Sequence, residues 1–133
     1  MASIFSKIVS GEIPCYKIAE TIDCMAFLDA SPLAKGHVLV IPKREIDYLF
    51  DMEEDLYSGL MSFSKKVAHA IKRAIPCQKV GVAVIGLEVP HAHIHLIPIN
   101  SVGDINFSKP KLQLEKEELT RIATLISTAF GEN

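Results

Sequence analysis

The run His91-Ala92-His93-Ile94-His95-Leu96-Ile97-Pro98 constrains the fold more than any other stretch of this chain. Successive side chains of a strand point to opposite faces, so the alternation predicts a strand from His91 to Pro98 with all three imidazoles on one face. Ala92, Ile94 and Leu96 then face a core, which leaves the imidazole side free for chemistry. Histidine has the unperturbed pKa nearest to neutral pH, which suits it to act as base, acid, nucleophile or metal ligand. A single strand histidine is ordinarily packed or solvated, but three in register with aliphatic residues are not explained that way. Four rises of about 3.3 Å put His91 and His95 roughly 13 Å apart. One flat strand therefore does not wrap all three around a zinc at about 2.0–2.1 Å, and a metal site needs a further ligand from elsewhere.

With 133 residues, 49% of them hydrophobic, the chain is long enough for one core and is expected to form a single domain over 1–133. Fourteen basic and 16 acidic residues give a net charge of -2, which marks neither a nucleic-acid-binding face nor a polybasic membrane patch. Cys15, Cys24 and Cys77 are odd in number and widely spaced, against both a disulfide framework and a paired-cysteine metal knuckle. Reduced thiols in a cytoplasmic protein are the expectation. The chain shows neither a leader-like start nor an apolar run of membrane-spanning length.

Residues 4–9 predict a short helical turn stopped at Ser10-Gly11, and Pro14 an extended segment. Tyr16 to Glu20 and Cys24 to Leu28 predict two strands of a hairpin, and Gly36 releases the chain into a β-branched strand, His37 to Pro42. From Asp51 the period changes: Leu56, Leu60, Phe63, Val67, Ile71 and Ala74 recur at helical steps, with Asp51 and Glu54 as a capping-box-like start and Pro76 past the end. Val80 to Ile85 predicts a strand antiparallel to the histidine strand. Leu119, Ile122, Ala123, Ile126, Ala129 and Phe130 mark a carboxyl-terminal helix whose first turn is acidic. The sum is α+β: about five antiparallel strands with two main helices, one long and central and one carboxyl-terminal, on one face. Tyr57, Met61, Ser64 and Ala68 form a partly apolar stripe on the long helix, read either as a dimer contact or as a wide core face.

The alternation His91-Ala92-His93-Ile94-His95 resembles the signature of the histidine triad family, and the resemblance extends over most of the chain. Ile4 to Ile8 with Glu12-Ile13-Pro14 is similar to the family's amino-terminal segment, Phe27-Leu28-Asp29-Ala30-Ser31-Pro32 to its ribose loop, and Gly36 to Lys43 to its next strand. Size and motif order are most like the single-domain Hint branch. The resemblance implies an α+β HIT-like fold and a homodimer. It also implies hydrolysis or transfer at the α-phosphate of purine nucleoside phosphoramidates or related AMP or GMP derivatives; no cofactor is expected, and the histidine spacing and scattered cysteines lead to the expectation of no metal.

By the same resemblance His93 is the nucleophile, its other ring nitrogen held by the backbone carbonyl of His91, while His95 and His37 complete the set around phosphate and leaving group. A neutral imidazole is nucleophilic near pH 7 and forms a labile phosphorus–nitrogen bond, so one displacement becomes two easier ones. Asp29 is matched to the acceptor of the ribose hydroxyls, although Asp before Ser31-Pro32 is also an ordinary turn former. Ile4, Phe5, Ile8 and Phe27 are matched to the purine pocket, although apolar walls and apolar cores read alike. Lys43 and Arg44 are assigned no chemistry.

Two departures stand out. Many relatives carry Gln and then Ser or Thr ahead of the first histidine, contacting phosphate, where this chain has Leu87 and Glu88. A carboxylate there repels phosphate unless it turns away or is hydrogen-bonded, so Glu88 is kept among the nucleotide-binding positions. Some bacterial relatives hold a structural zinc through a Cys-x-x-Cys near their start. This chain has Ser3 and Ser6, and no such zinc site is expected. The departures also leave room for a different role, a nucleotide- or partner-binding regulatory protein with weak incidental hydrolysis.

Overall fold

A computed structural model describes residues 2–131. Helix α1 (Ile4–Ser10) opens with Ser3, whose side chain accepts from the Ser6 amide, and closes at Gly11, where a φ of 89° suits a residue without a Cβ. Strands β1 (Lys17–Glu20) and β2 (Cys24–Leu28) form the hairpin, followed by β3 (Val38–Pro42), helix α2 (Glu54–Ala74), β4 (Lys79–Ala83), β5 (Ile94–Ile99) and helix α3 (Lys116–Gly131). The sheet order is β1-β2-β3-β5-β4, with antiparallel neighbours throughout. This is the α+β architecture expected from the sequence.

The pleat sorts the side chains. Ala26, Leu28, Val38, Val40, Ile94 and Leu96 pack with Leu60, Phe63, Val67 and Ile71 of α2 and Leu119, Ile122 and Ile126 of α3 in one large cluster. Met25, Phe27, Leu39 and Ile41 pack with Phe5 of α1 in a smaller one. Both main helices therefore lie on one face and α1 on the other. Among the described residues no helix is long and apolar enough to cross a membrane.

Several boundaries differ from the sequence expectation, each for a local reason. The histidine strand begins at Ile94 rather than His91, because the Ala92 amide donates to the Ile46 carbonyl and the His91 carbonyl accepts from a side chain, so neither joins the ladder. The long helix begins at Glu54, not Asp51: Leu49–Asp51 is a 3-10 turn, and buried Met52 is extended, with ψ at 145°. Glu53 caps the helix without a side-chain bond, so the expected capping box from Asp51 does not form. Strand β4 stops at Ala83, and Val84 and Ile85 lie beyond it. On the α2 stripe Ser64 is buried and returns its hydroxyl to the Leu60 carbonyl, while Tyr57 and Ala68 pack against the protein's own core; Met61 alone is exposed.

Candidate active site

The register places Leu39 of β3 opposite His95 of β5, so His95 lies on the α1 face of the sheet. His37 comes up just before β3, and its ring stands 5.2 Å from that of His95. His93 enters from the extended segment before β5, its ring 5.0 Å from His95 and 4.9 Å from Phe5. The four histidines expected at the site are thus gathered on one side, all of them buried.

Hydrogen-bond partners assign the tautomers, since a carbonyl only accepts and an amide only donates. His93 Nδ1 lies 2.8 Å from the His91 carbonyl and must carry its proton there, which leaves the Nε2 lone pair available in the neutral ring. His91 Nε2 donates to the Pro42 carbonyl at 2.8 Å, so its Nδ1 accepts from the Ser3 hydroxyl, also at 2.8 Å. The Leu33 amide donates to His37 Nδ1 at 3.0 Å, so His37 Nε2 donates to His95 Nδ1 at 3.0 Å. His95 is left with its proton on Nε2. The site therefore pairs a nitrogen lone pair on His93 with an N–H donor on the neighbouring ring.

Burial disfavours the charged form of His37, His95 and His91. It holds His37 down at about 3, helped by His95 and Lys111, and His95 down at about 4, helped by His93. His91 is lowered too, by burial first, against the opposing pull of its bond to Pro42 and the charge of Glu45. At neutral pH His95 is consequently a hydrogen-bond donor without charge. Asp29 Oδ2 lies 3.7 Å from His37 Nε2, but a neutral ring whose proton is directed to His95 makes no ion pair there.

Asp29 itself is half-buried and makes the turn contact that one of its two sequence readings expects. Its Oδ1 accepts the Ser31 amide at 2.9 Å, a turn contact, while Oδ2 faces the histidine side. Burial raises its carboxyl above the usual value, opposed by the Ser31 amide and by Lys111. Phe5, Ile8 and Phe27 share the smaller apolar cluster, whereas Ile4 is half exposed and outside it. Glu88 and Leu87 are exposed, and Val89 rather than Glu88 turns toward that cluster. Among the described residues Asp29, His37 and His95 offer ligand atoms within 4.8 Å of one another, enough to consider a metal. His37 Nε2 and His95 Nδ1 are hydrogen-bonded to each other at 3.0 Å. His91 is not in that set.

Other residues of the site gave little sequence signal. Phe107 sets its ring 4.7 Å from His95 and 6.4 Å from His37, and Lys111 donates to the Phe107 carbonyl at 2.8 Å and the Lys109 carbonyl at 3.2 Å. Both come from the irregular segment after β5, brought over the histidines where the Leu112 amide meets the Pro32 carbonyl. Glu45 also belongs here: its Oε1 accepts the Ser3 amide at 2.6 Å and the Ser6 hydroxyl at 2.7 Å. A serine directly before an apolar helical run is a capping signal that points to Ser3; nothing local marks Glu45 or Phe107.

Known proteins resemble this chain in sequence and in fold. The HIT domain matches residues 10–102. An adenosine 5'-monophosphoramidase of Schizosaccharomyces pombe is 35% identical over 131 residues, covering 96% of this chain and 98% of its own. An uncharacterized HIT-like protein of Borreliella burgdorferi is 35% identical over 132 residues, 93% of this chain and 95% of its own. The crystal structure of a HIT-like protein from Bartonella henselae superposes with a TM-score of 0.82 at 30% identity, over 96% of this chain and 95% of that one. Sequence match, shared fold and the gathered histidines agree that the chain belongs to the HIT, or histidine triad, family.

Proposed function

We propose that this protein is a nucleotide hydrolase or transferase that acts at the α-phosphate of purine nucleoside phosphoramidates, or related AMP or GMP derivatives, through a covalent nucleotidyl-His93 intermediate. The observation that carries the reading is the bond from His93 Nδ1 to the His91 carbonyl, which leaves Nε2 as the nucleophilic nitrogen. The monophosphoramidase name of the fission-yeast relative supports the substrate class. His93 Nε2 attacks phosphorus as the phosphorus–nitrogen bond to the amine breaks, and the departing amine takes up a proton from water. Water then breaks the phosphorus–nitrogen bond, releasing the nucleoside monophosphate and restoring the neutral ring. Because His95 is neutral, its Nε2–H serves as a donor to a phosphoryl oxygen or to the leaving group, where charge develops. Asp29 accepts the ribose hydroxyls, and Phe5, Ile8 and Phe27 wall the base, with Ile4 at the rim. In His93→Ala, cleavage of an adenosine phosphoramidate at the wild-type rate would sink the mechanism.

A homodimer belongs to this proposal. β4 is an edge strand, and Val82, Val84, Ile85, Tyr48 and Phe50 beside it are exposed, an apolar margin that a second copy covers. Sedimentation at a monomer's mass at micromolar concentration would refute it. We place the protein in the cytoplasm as one domain, in keeping with its three free thiols.

The exposed Leu87 and Glu88, where relatives have neutral phosphate donors, favour a second reading: a nucleotide- or partner-binding regulator whose hydrolysis is incidental. Calorimetric nucleotide binding without turnover on phosphoramidates, dinucleotides or sulfated nucleotides would select it.

A further inference from the structure

Ser3, Ser6, Glu45 and His91 meet at the start of α1, and the direction of every bond among them is fixed. The Ser6 amide donates to Ser3 Oγ at 3.0 Å, so the one hydroxyl proton of Ser3 is left for His91 Nδ1 at 2.8 Å. Glu45 Oε1 holds the Ser3 amide and the Ser6 hydroxyl from below, at 2.6 and 2.7 Å. The His91 ring is fully buried and pinned at both nitrogens, by Ser3 on one side and the Pro42 carbonyl on the other. Its backbone carbonyl is the acceptor for His93 Nδ1. A continuous line of short bonds thus runs from an exposed carboxylate to the reactive ring.

We propose that Ser3 and Glu45 are positioning residues for His93: Glu45 fixes Ser3, Ser3 fixes the His91 ring, and the His91 carbonyl thereby holds His93 with its Nε2 lone pair toward the substrate. The proposal rests on the reading of His93 as nucleophile. Charge-assisted bonds to a carboxylate are short and strong, and the Ser3 amide holds the Glu45 carboxyl down at about 2, so the anchor stays charged throughout the neutral range. Glu45 is the informative handle. It is exposed, and its removal leaves the Ser3 cap on the Ser6 amide intact, so helix capping and positioning separate.

The test compares the full chain with Ser3→Ala, Glu45→Ala, Glu45→Gln and His93→Ala, by steady-state kinetics on an adenosine phosphoramidate and by 15N imidazole NMR. Ser3→Ala and Glu45→Ala are expected to lower kcat about tenfold, since small misplacements of reacting groups are costly. KM is expected to stay within about twofold, the mark of an effect on the chemical step. The His93 nitrogens should show a reduced Nδ1–H population. Glu45→Gln keeps an acceptor oxygen and is expected to restore kcat to within about twofold of wild type. An unchanged kcat in Glu45→Ala overturns the proposal. So does a wild-type His93 tautomer in Ser3→Ala, or a kcat loss that merely follows the fall in melting temperature. A wild-type rate in His93→Ala defeats the nucleophile reading separately, because the nitrogen shifts report positioning without turnover.

Discussion

On its helix-covered face the sheet packs Ala26, Val38, Val40, Ile94 and Leu96 into a continuous apolar core, whereas its other face mixes a small apolar cluster with four buried imidazoles and their partners. The first face is held by area, a non-directional contribution that tolerates exchange among shapes. The second is held by direction, because the tautomer of each of the four rings is fixed by a hydrogen bond to a named partner. Neighbouring residues of one chain segment therefore fail in different ways. His93 and Ile94 make the sharpest pair: His93→Ala is expected to reduce turnover at least about a thousandfold, the scale seen on removing a nucleophile. Ile94→Ala is expected to cost about 2–5 kcal/mol of stability, from lost burial and the cavity left behind, with the folded fraction still active. Denaturant unfolding and turnover of both variants check this. An Ile94→Ala as stable as wild type would break the contrast between the faces.

Acid separates the faces next. His37 and His95 have folded values of about 3 and about 4 against an ordinary 6.5, so the unfolded chain binds protons that the folded chain refuses. Their contribution is fully present above pH 6.5 and is lost as pH falls, down to about 4 for His95 and about 3 for His37. Each histidine is expected to remove up to about 1.4 kcal/mol per pH unit within its window. Unfolding free energies measured from pH 7.5 to 4.5 should hold level down to about pH 6.5 and decline below it, and His37→Asn should flatten that decline. A slope unaltered in that variant would show that the imidazole face is not what acid attacks.

The same contrast explains what the sequence made legible. The apolar face announces itself through period: Val38 and Val40, Ile94 and Leu96, and the 3–4 spacing in α2 locate strands and helices to within a few residues. The histidines were legible because alternation with aliphatic residues is itself periodic. Their anchors were not. Glu45 is 42 residues from Ser3, and Ser3 is 88 from His91, so only the closed fold brings them together. Phe107 lies in a segment with neither period, placed by the bonds of Lys111 and Leu112 to backbone carbonyls. The strand start at Ile94 was obscured for a related reason: the His91 carbonyl is taken by the His93 ring, a use that side-chain alternation does not register.

Leu87 tests the edge of the directional face with the smallest expected effect. It is 89% exposed, so exchanging it costs no core contact, and an exposed leucine contributes little to stability. The family resemblance matches this position to a glutamine that contacts phosphate in many relatives, and a neutral N–H donor near an anionic oxygen is worth about 0.5–1.5 kcal/mol net. Leu87→Gln is accordingly expected to lower KM for an adenosine phosphoramidate by roughly two- to tenfold, the same free energy expressed as a ratio, with the melting temperature unchanged. Steady-state kinetics and thermal unfolding read the two quantities apart. A fall in KM would show that the segment before the triad approaches the phosphate and that a donor at this position strengthens its recognition. An unchanged KM would show that Val89, packed inward beside Phe5 and Phe27, carries Leu87 and Glu88 away from the substrate, so that phosphate recognition is left to the imidazoles alone.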